Sequence, residues 1–216
     1  MRESDIRAEK RAAAETAAAL VEDGMWVGLG TGSTVAELVP VLGARRLDIT
    51  CAATSPATEQ LAVAHGLDVR PFTDIDQLDI AIDGADQVDP LGWLIKGGGG
   101  AQTRERIVAA AADRFVVIVS SDKPVERLHA PVPLELLAFG LASTLRALPG
   151  AALRNVPVTP DGGVIADYHG EVGDPAALAA VLDAVPGLVS HGLFPPSMVS
   201  TVLVARGPEV EMRQIV

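Results

Sequence analysis

The chain has 216 residues, 49% of them hydrophobic, and 17 basic residues against 28 acidic ones give a formal charge of −11. That is enough apolar material for a full core, and the sign of the charge repels nucleic acid and acidic membrane surfaces, so the expected partner is a small molecule. No membrane span or leader is expected in an N-terminal stretch that mixes acids and arginines with alanine, which points to the cytoplasm, and a lone Cys51 without any Cys/His cluster predicts no internal disulfide and no structural metal site.

In chain order, an alanine-rich helix over about 5–22 leads to an apolar strand at 25–29, a glycine-threonine turn and a helix over 34–42. A second strand is expected at 47–52. Ser55 and Pro56 suit the N-cap and first position of a helix running through Ala64. A buried strand at 78–82 ends in Asp83, residues 93–95 lead through glycines into a helix over 103–112, and 115–119 is a further apolar strand. Continuous apolar runs joined by helices predict a parallel sheet covered on both faces, with ligands at the carboxyl ends of its strands. After about Pro131 the texture changes. Pro131 and Pro133 precede a helix over 138–148, Pro-Asp-Gly-Gly at 160–163 signals a hairpin, Asp174 and Pro175 open a helix to Ala184, and strands are expected at 187–193 and 199–205. The predicted architecture is therefore α/β, a Rossmann-like parallel sheet domain over 1–130 with a smaller α+β, ferredoxin-like lid over 131–205. Whether 206–216 returns to the first domain stays open.

Three motifs fall at strand ends. Gly28-Leu29-Gly30-Thr31-Gly32-Ser33-Thr34 joins a strand to a helix, where amides and the hydroxyls of Thr31, Ser33 and Thr34 can cradle a phosphate. Its glycine spacing fails as a dinucleotide fingerprint, and it lacks the Gly-Lys-Ser/Thr of a Walker loop. Asp83-Gly84-Ala85-Asp86 sets two carboxylates in one turn, fit to bind hydroxyls or relay protons. Lys96-Gly97-Gly98-Gly99-Gly100 is followed by Glu105 just inside the next helix, a base beside an ammonium and flexible amides. The chain has only three lysines against fourteen arginines, so Lys96 and Lys123 at strand ends suggest a need for compact ammonium groups.

Together with Ser120-Ser121-Asp122-Lys123, Thr54-Ser55, Asp167-Tyr168-His169-Gly170 and Gly192-Leu193-Phe194, these motifs resemble type A ribose-5-phosphate isomerases over nearly the whole chain. The resemblance implies cofactor-free interconversion of D-ribose 5-phosphate and D-ribulose 5-phosphate by a homodimer or homotetramer. It implies Glu105 as general base, with Asp83 and Lys96 also in the chemistry. Thr31, Gly32, Ser33, Thr34, Asp83, Gly84, Ala85, Asp86, Lys96, Gly97, Gly98, Gly99 and Lys123 then contact substrate. Which of Asp83 and Asp86 relays protons is open. The alternatives are another sugar-phosphate isomerase or a sugar-phosphate-binding sensor domain. Departures from the family pattern are Gly100, where alanine is usual, Pro56, and the segment 195–200. His169 and His191 read as structural or lid residues.

Overall fold

The computed structural model describes residues 2–215. Its first part runs α1 (Glu3–Ala18), β1 (Trp26–Leu29), α2 (Ser33–Arg45), β2 (Thr50–Ala53), α3 (Pro56–Ala64), β3 (Asp68–Val69), β4 (Ile80–Asp83), β5 (Gln87–Val88), β6 (Leu94–Ile95), α4 (Gln102–Ala110) and β7 (Phe115–Ser120). There follow β8 (Val132–Leu136), α5 (Leu141–Ala147), β9 (Ala151–Leu153), β10 (Val164–Tyr168), α6 (Pro175–Asp183), β11 (Leu188–His191), β12 (Leu193–Phe194), β13 (Thr201–Arg206) and β14 (Glu209–Gln214).

The large sheet has seven strands in the order β14-β13-β7-β4-β1-β2-β3, all parallel except the β13–β14 hairpin at one edge. Its central strands β4 and β7 are buried at every position and apolar up to their last residues, Asp83 and Ser120, as a sheet covered on both faces requires. The alanines of α1 that face inward, Ala13, Ala14, Ala17 and Ala18, bring that helix close against one face beside α2. Val108 and Ala109 of α4 belong to the core on the opposite face. From β1 the chain winds outward through β2 and β3, then resumes on the other side of β1 with β4 and β7. The β1–β4 junction is therefore the topological switch point, where a crevice opens at the carboxyl ends of the strands.

A four-stranded antiparallel sheet, ordered β11-β8-β10-β9, takes α5 and α6 in a β-α-β-β-α-β succession, which is the ferredoxin-like pattern. A small antiparallel sheet, β12-β6-β5, pairs two strands that follow β4 with one that follows β11, and sets the residue that follows β6.

Several local expectations need correction. The proline pair at 131 and 133 reads as a lead into a helix, yet Val132–Leu136 is a strand buried at every position in the middle of the smaller sheet. Pro133 costs that strand one donor, but its carbonyl still accepts from the Gly192 N–H at 2.7 Å. The helix after it is shorter than 138–148, spanning Leu141–Ala147. The stretch 187–193 is not one strand. Gly192 divides it into β11 and β12, which belong to different sheets, and a Cβ at that position would lie 2.2 Å from the Lys96 carbonyl oxygen. The strand expected at 199–205 belongs not with the smaller sheet but beside β7 in the large one, and residues 209–214 return to that sheet as its edge. The two-residue strands β3 and β5 are too short to show a hydrophobic period.

Candidate active site

Gly30 and Asp83 end neighbouring parallel strands, and they fit together because one of them has no side chain. A Cβ on Gly30 would lie 1.9 Å from the Asp83 carboxyl carbon. With that space clear, Asp83 Oδ1 accepts from the N–H groups of Thr31 at 3.1 Å and Gly84 at 2.7 Å. Its other oxygen, Oδ2, is 2.8 Å from the Lys96 ammonium. Lys96 is delivered by β6, and its backbone N–H bonds the Gly192 carbonyl at 2.9 Å. Its Nζ donates to the Gly84 carbonyl at 2.5 Å and lies 3.3 Å from Glu105 Oε2. The Phe194 ring centroid is 5.6 Å from the same Nζ, closing its apolar side.

Asp83, Lys96 and Glu105 thus form a triad that is almost dry, with side chains 4%, 2% and 5% exposed. Two carboxyls and one ammonium cannot all be neutralised in pairs, and the environments divide the proton between them. Burial first, and then the Asp83 charge, push the Glu105 carboxyl up to about 8, against the opposing pull of Lys96. Burial also raises Asp83, though Lys96 and two amide donors oppose this. Burial disfavours the Lys96 charge, but Asp83 and Glu105 outweigh it and hold the ammonium above its ordinary range. Glu105 Oε2 has no aligned hydrogen-bond donor, whereas Asp83 has three. Of the two acids, Glu105 has the less satisfied carboxyl, and burial holds it above the ordinary carboxylate range.

Above the triad is a cavity of about 230 Å³. It brings together Thr31, Gly32, Ser33, Thr34, Gly84, Ala85, Asp86, Lys96, Gly97, Gly98, Gly99, Glu105 and Lys123, with Asp83 beneath them. The helix α2 opens at Ser33 behind Gly32, and no side chain caps its first amides. Gly32, Ser33 and Thr34 at this helix start line the cavity, and free N–H groups with the helix dipole behind them can receive an anion. Asp86 is exposed on the rim and accepts from the Gly98 N–H at 2.8 Å.

The sequence reading missed Lys10. From α1 its Nζ reaches Ser33 Oγ at 2.9 Å, and it lines the same cavity. All three lysines of the chain therefore converge on one cavity. Their rarity was a signal that applied to Lys10 as much as to the other two. Residues 97–100 form a tight turn closed by the Gly100 N–H on the Gly97 carbonyl at 2.9 Å, and Gly100 has φ +74°. A glycine suits that left-handed position. His191 is buried away from the cavity, 3.1 Å from Asp183, and burial, followed by the Arg106 charge, lowers it to about 4. Among the described residues no group of three or more His, Cys, Asp or Glu is placed to hold a metal ion.

Residues 50–208 match the family model for ribose 5-phosphate isomerase A, also called phosphoriboisomerase A. The chain is 46% identical over 205 residues to the ribose-5-phosphate isomerase A of Methylorubrum extorquens, covering 86% of this chain and 87% of that one. The solved ribose 5-phosphate isomerase A of Methanocaldococcus jannaschii superposes with a TM-score of 0.90 at 33% identity, over 99% of this chain and 100% of the other. A D-ribose-5-phosphate isomerase solved in complex with phospho-erythronic acid also gives a TM-score of 0.90, at 32% identity over 99% and 100% of the two chains.

Proposed function

The chain belongs to the ribose 5-phosphate isomerase A family and is a ribose-5-phosphate isomerase, and on that footing we propose that it moves a proton between C2 and C1 of the open-chain sugar phosphate through an enediolate, with Glu105 as the base. The observation that carries this is the buried Asp83–Lys96–Glu105 triad under a cationic, amide-lined cavity. Glu105, ionised, takes the C2 proton of ribose 5-phosphate, and the electron pair moves toward the C1 oxygen. The Lys96 ammonium and the amides of the glycine turn stabilise that oxyanion. The proton then returns to C1 as the C2 hydroxyl becomes a carbonyl, and the proton of that hydroxyl passes to the C1 oxygen, giving ribulose 5-phosphate. One carboxyl serves both carbons because they are adjacent, and a pKa near the operating pH suits a group that must both accept and return the proton.

The two aspartates divide the remaining work. Asp83 has both oxygens committed to Thr31, Gly84 and Lys96, so it fixes the lysine and raises the base. Asp86 commits one oxygen, to the Gly98 N–H, and stands where it can receive a substrate hydroxyl or its proton. The phosphate sits at the start of α2, held by Lys10, Ser33, Thr34 and Lys123. The neighbour with bound phospho-erythronic acid supports a phosphorylated sugar acid or sugar in a site of this kind. The same reading places the enzyme in the non-oxidative branch of the pentose phosphate pathway, as a cytoplasmic homo-oligomer.

The direct test is to incubate purified protein with ribose 5-phosphate and follow ketose formation. Turnover that inorganic phosphate inhibits competitively is the expected result. Binding of ribose 5-phosphate without any ketose would leave a sensor rather than an enzyme.

A further inference from the structure

Arg154 follows β9 in the smaller sheet, but its side chain points to the glycine turn beside the active site. Nη1 donates to the carbonyl oxygens of Gly97 at 3.2 Å and Gly98 at 2.9 Å. Nε and Nη2 bind the two oxygens of Asp167 at 2.9 Å and 2.5 Å. Asp167 is on β10, one strand in from the arginine. Both side chains are only 21% and 17% exposed. A planar fork with five donors is thus anchored on one edge by a carboxylate and spends another nitrogen on two successive peptide carbonyls.

In a trans peptide the N–H points opposite to the C=O of the same plane. Holding the Gly97 and Gly98 carbonyls on the outer side therefore turns the N–H groups of Gly98 and Gly99 inward. The first meets Asp86 at 2.8 Å, as that geometry requires. The second has no partner among the described residues and belongs to a residue that lines the cavity. Four successive glycines have little intrinsic preference for one conformation, and the turn's own bond, from the Gly100 N–H to the Gly97 carbonyl, holds only one end, so the Gly98–Gly99 plane depends on the Arg154 donor. A charged donor on the Gly98 carbonyl also polarises the amide it belongs to, strengthening its N–H as a donor.

We propose that Arg154, braced by Asp167, is a positioning residue for the isomerisation: it sets the peptide planes of the glycine turn so that the Gly99 N–H is aimed at the oxyanion that develops on the substrate. The claim rests on the enediolate reading above. It assigns Arg154 no contact with substrate, and it explains the pairing of Asp167 with an arginine from the neighbouring strand.

The test compares R154M, R154K and D167N with the parent for kcat, KM, and inhibition by phospho-erythronic acid and by inorganic phosphate. The acid's planar carboxylate presents charge where the enediolate does, whereas inorganic phosphate reports only on the anion site. For R154M, kcat should fall about 10- to 100-fold, the scale expected when a preorganised donor is misaimed. Inhibition by the acid should weaken in parallel, while KM and phosphate inhibition stay within about threefold. R154K keeps the charge but not the fork, so it should recover part of kcat, and D167N should show a smaller loss of the same kind. R154K and D167N carry the test if R154M does not fold. Unchanged kcat in all three variants overturns the proposal, as does an equal loss of phosphate and phospho-erythronic acid binding, which would make the pair a clamp between sheets only. A parent protein inert toward ribose 5-phosphate would instead overturn the isomerase reading itself, and this inference with it.

Discussion

The floor and the rim of the cavity use charge in opposite ways. On the floor, Asp83 and Glu105 are buried on either side of the buried Lys96 ammonium, each within bonding distance of it, and burial is the largest influence on all three. On the rim, Lys10, Ser33 and Lys123 are partly or fully exposed, with Lys123 3.2 Å from Asp122 of its own loop. A buried charge is stabilised only by its partners, so its removal disturbs the fold and the chemistry together. An exposed charge is screened and is replaced by water when deleted, so its loss weakens binding and little else. On the proposed reading, the difference separates the residues that react from those that hold the substrate.

The most severe way to break the comparison is Lys96→Met. It leaves Asp83 and Glu105 buried without a cation, which should cost about 3–5 kcal/mol of stability and abolish turnover. Chemical denaturation would check the first effect and a ketose assay the second. A variant as stable as the parent would mean that the floor is solvated like the rim.

The floor can also be titrated. With Glu105 raised to about 8 in the ligand-free protein, the base is mostly protonated at lower pH and becomes competent as pH rises. The kcat/KM profile should therefore climb about tenfold per pH unit well below that value and level off above it, since this ratio reports the free enzyme. A plateau already complete at pH 5 would show that Glu105 has an ordinary carboxyl environment.

On the rim, Lys10→Ala should raise KM by a factor of about five to ten, equivalent to about 1–1.4 kcal/mol for a charge-assisted hydrogen bond at a partly exposed site, with kcat near parental. Ser33→Ala should act in the same direction and more weakly. Steady-state kinetics with ribose 5-phosphate, backed by phosphate competition, would check both. A fall in kcat at constant KM would move Lys10 from the rim to the chemistry. The smallest expected effect is none at all. Chelator-treated protein should turn over at the parental rate, because the described residues offer no metal-binding cluster. A rate restored only by added divalent ion would put a further cation on the floor.

The motifs were legible in the sequence where the chain itself brings their members together. The Gly30–Thr34 turn, Asp83–Asp86, and Lys96 with Glu105 are each local, and each occupies the end of a strand or the start of a helix whose apolar pattern is plain. What joins the motifs is not local. Lys10 is 23 residues from the Ser33 hydroxyl it meets, and on a helix of mixed alanine and charge it looks like any solvated side chain. Arg154 is 56 residues from the Gly98 carbonyl, and nothing in the short strand before it signals that contact. Val132–Leu136 was hidden by its prolines, which mark turns more often than buried strands. Thr201–Arg206 read correctly as a strand, but only pairing with Phe115–Ser120 assigns it to the large sheet. Sequence pattern reports which face of an element is apolar. It does not report which neighbour that face meets.

The central claim is that a single buried carboxyl carries the proton, and it is tested most directly by measuring solvent exchange of the substrate C2 proton in Glu105→Gln. Glutamine preserves the size of the side chain and an acceptor toward Lys96, but it cannot take a proton from carbon. Exchange and turnover should fall together, by about 10²–10⁴-fold or more, while ribose 5-phosphate still binds with near-parental affinity. Exchange and turnover that persist near the parental rate in a variant that still binds substrate would contradict the account and return the base to one of the two aspartates.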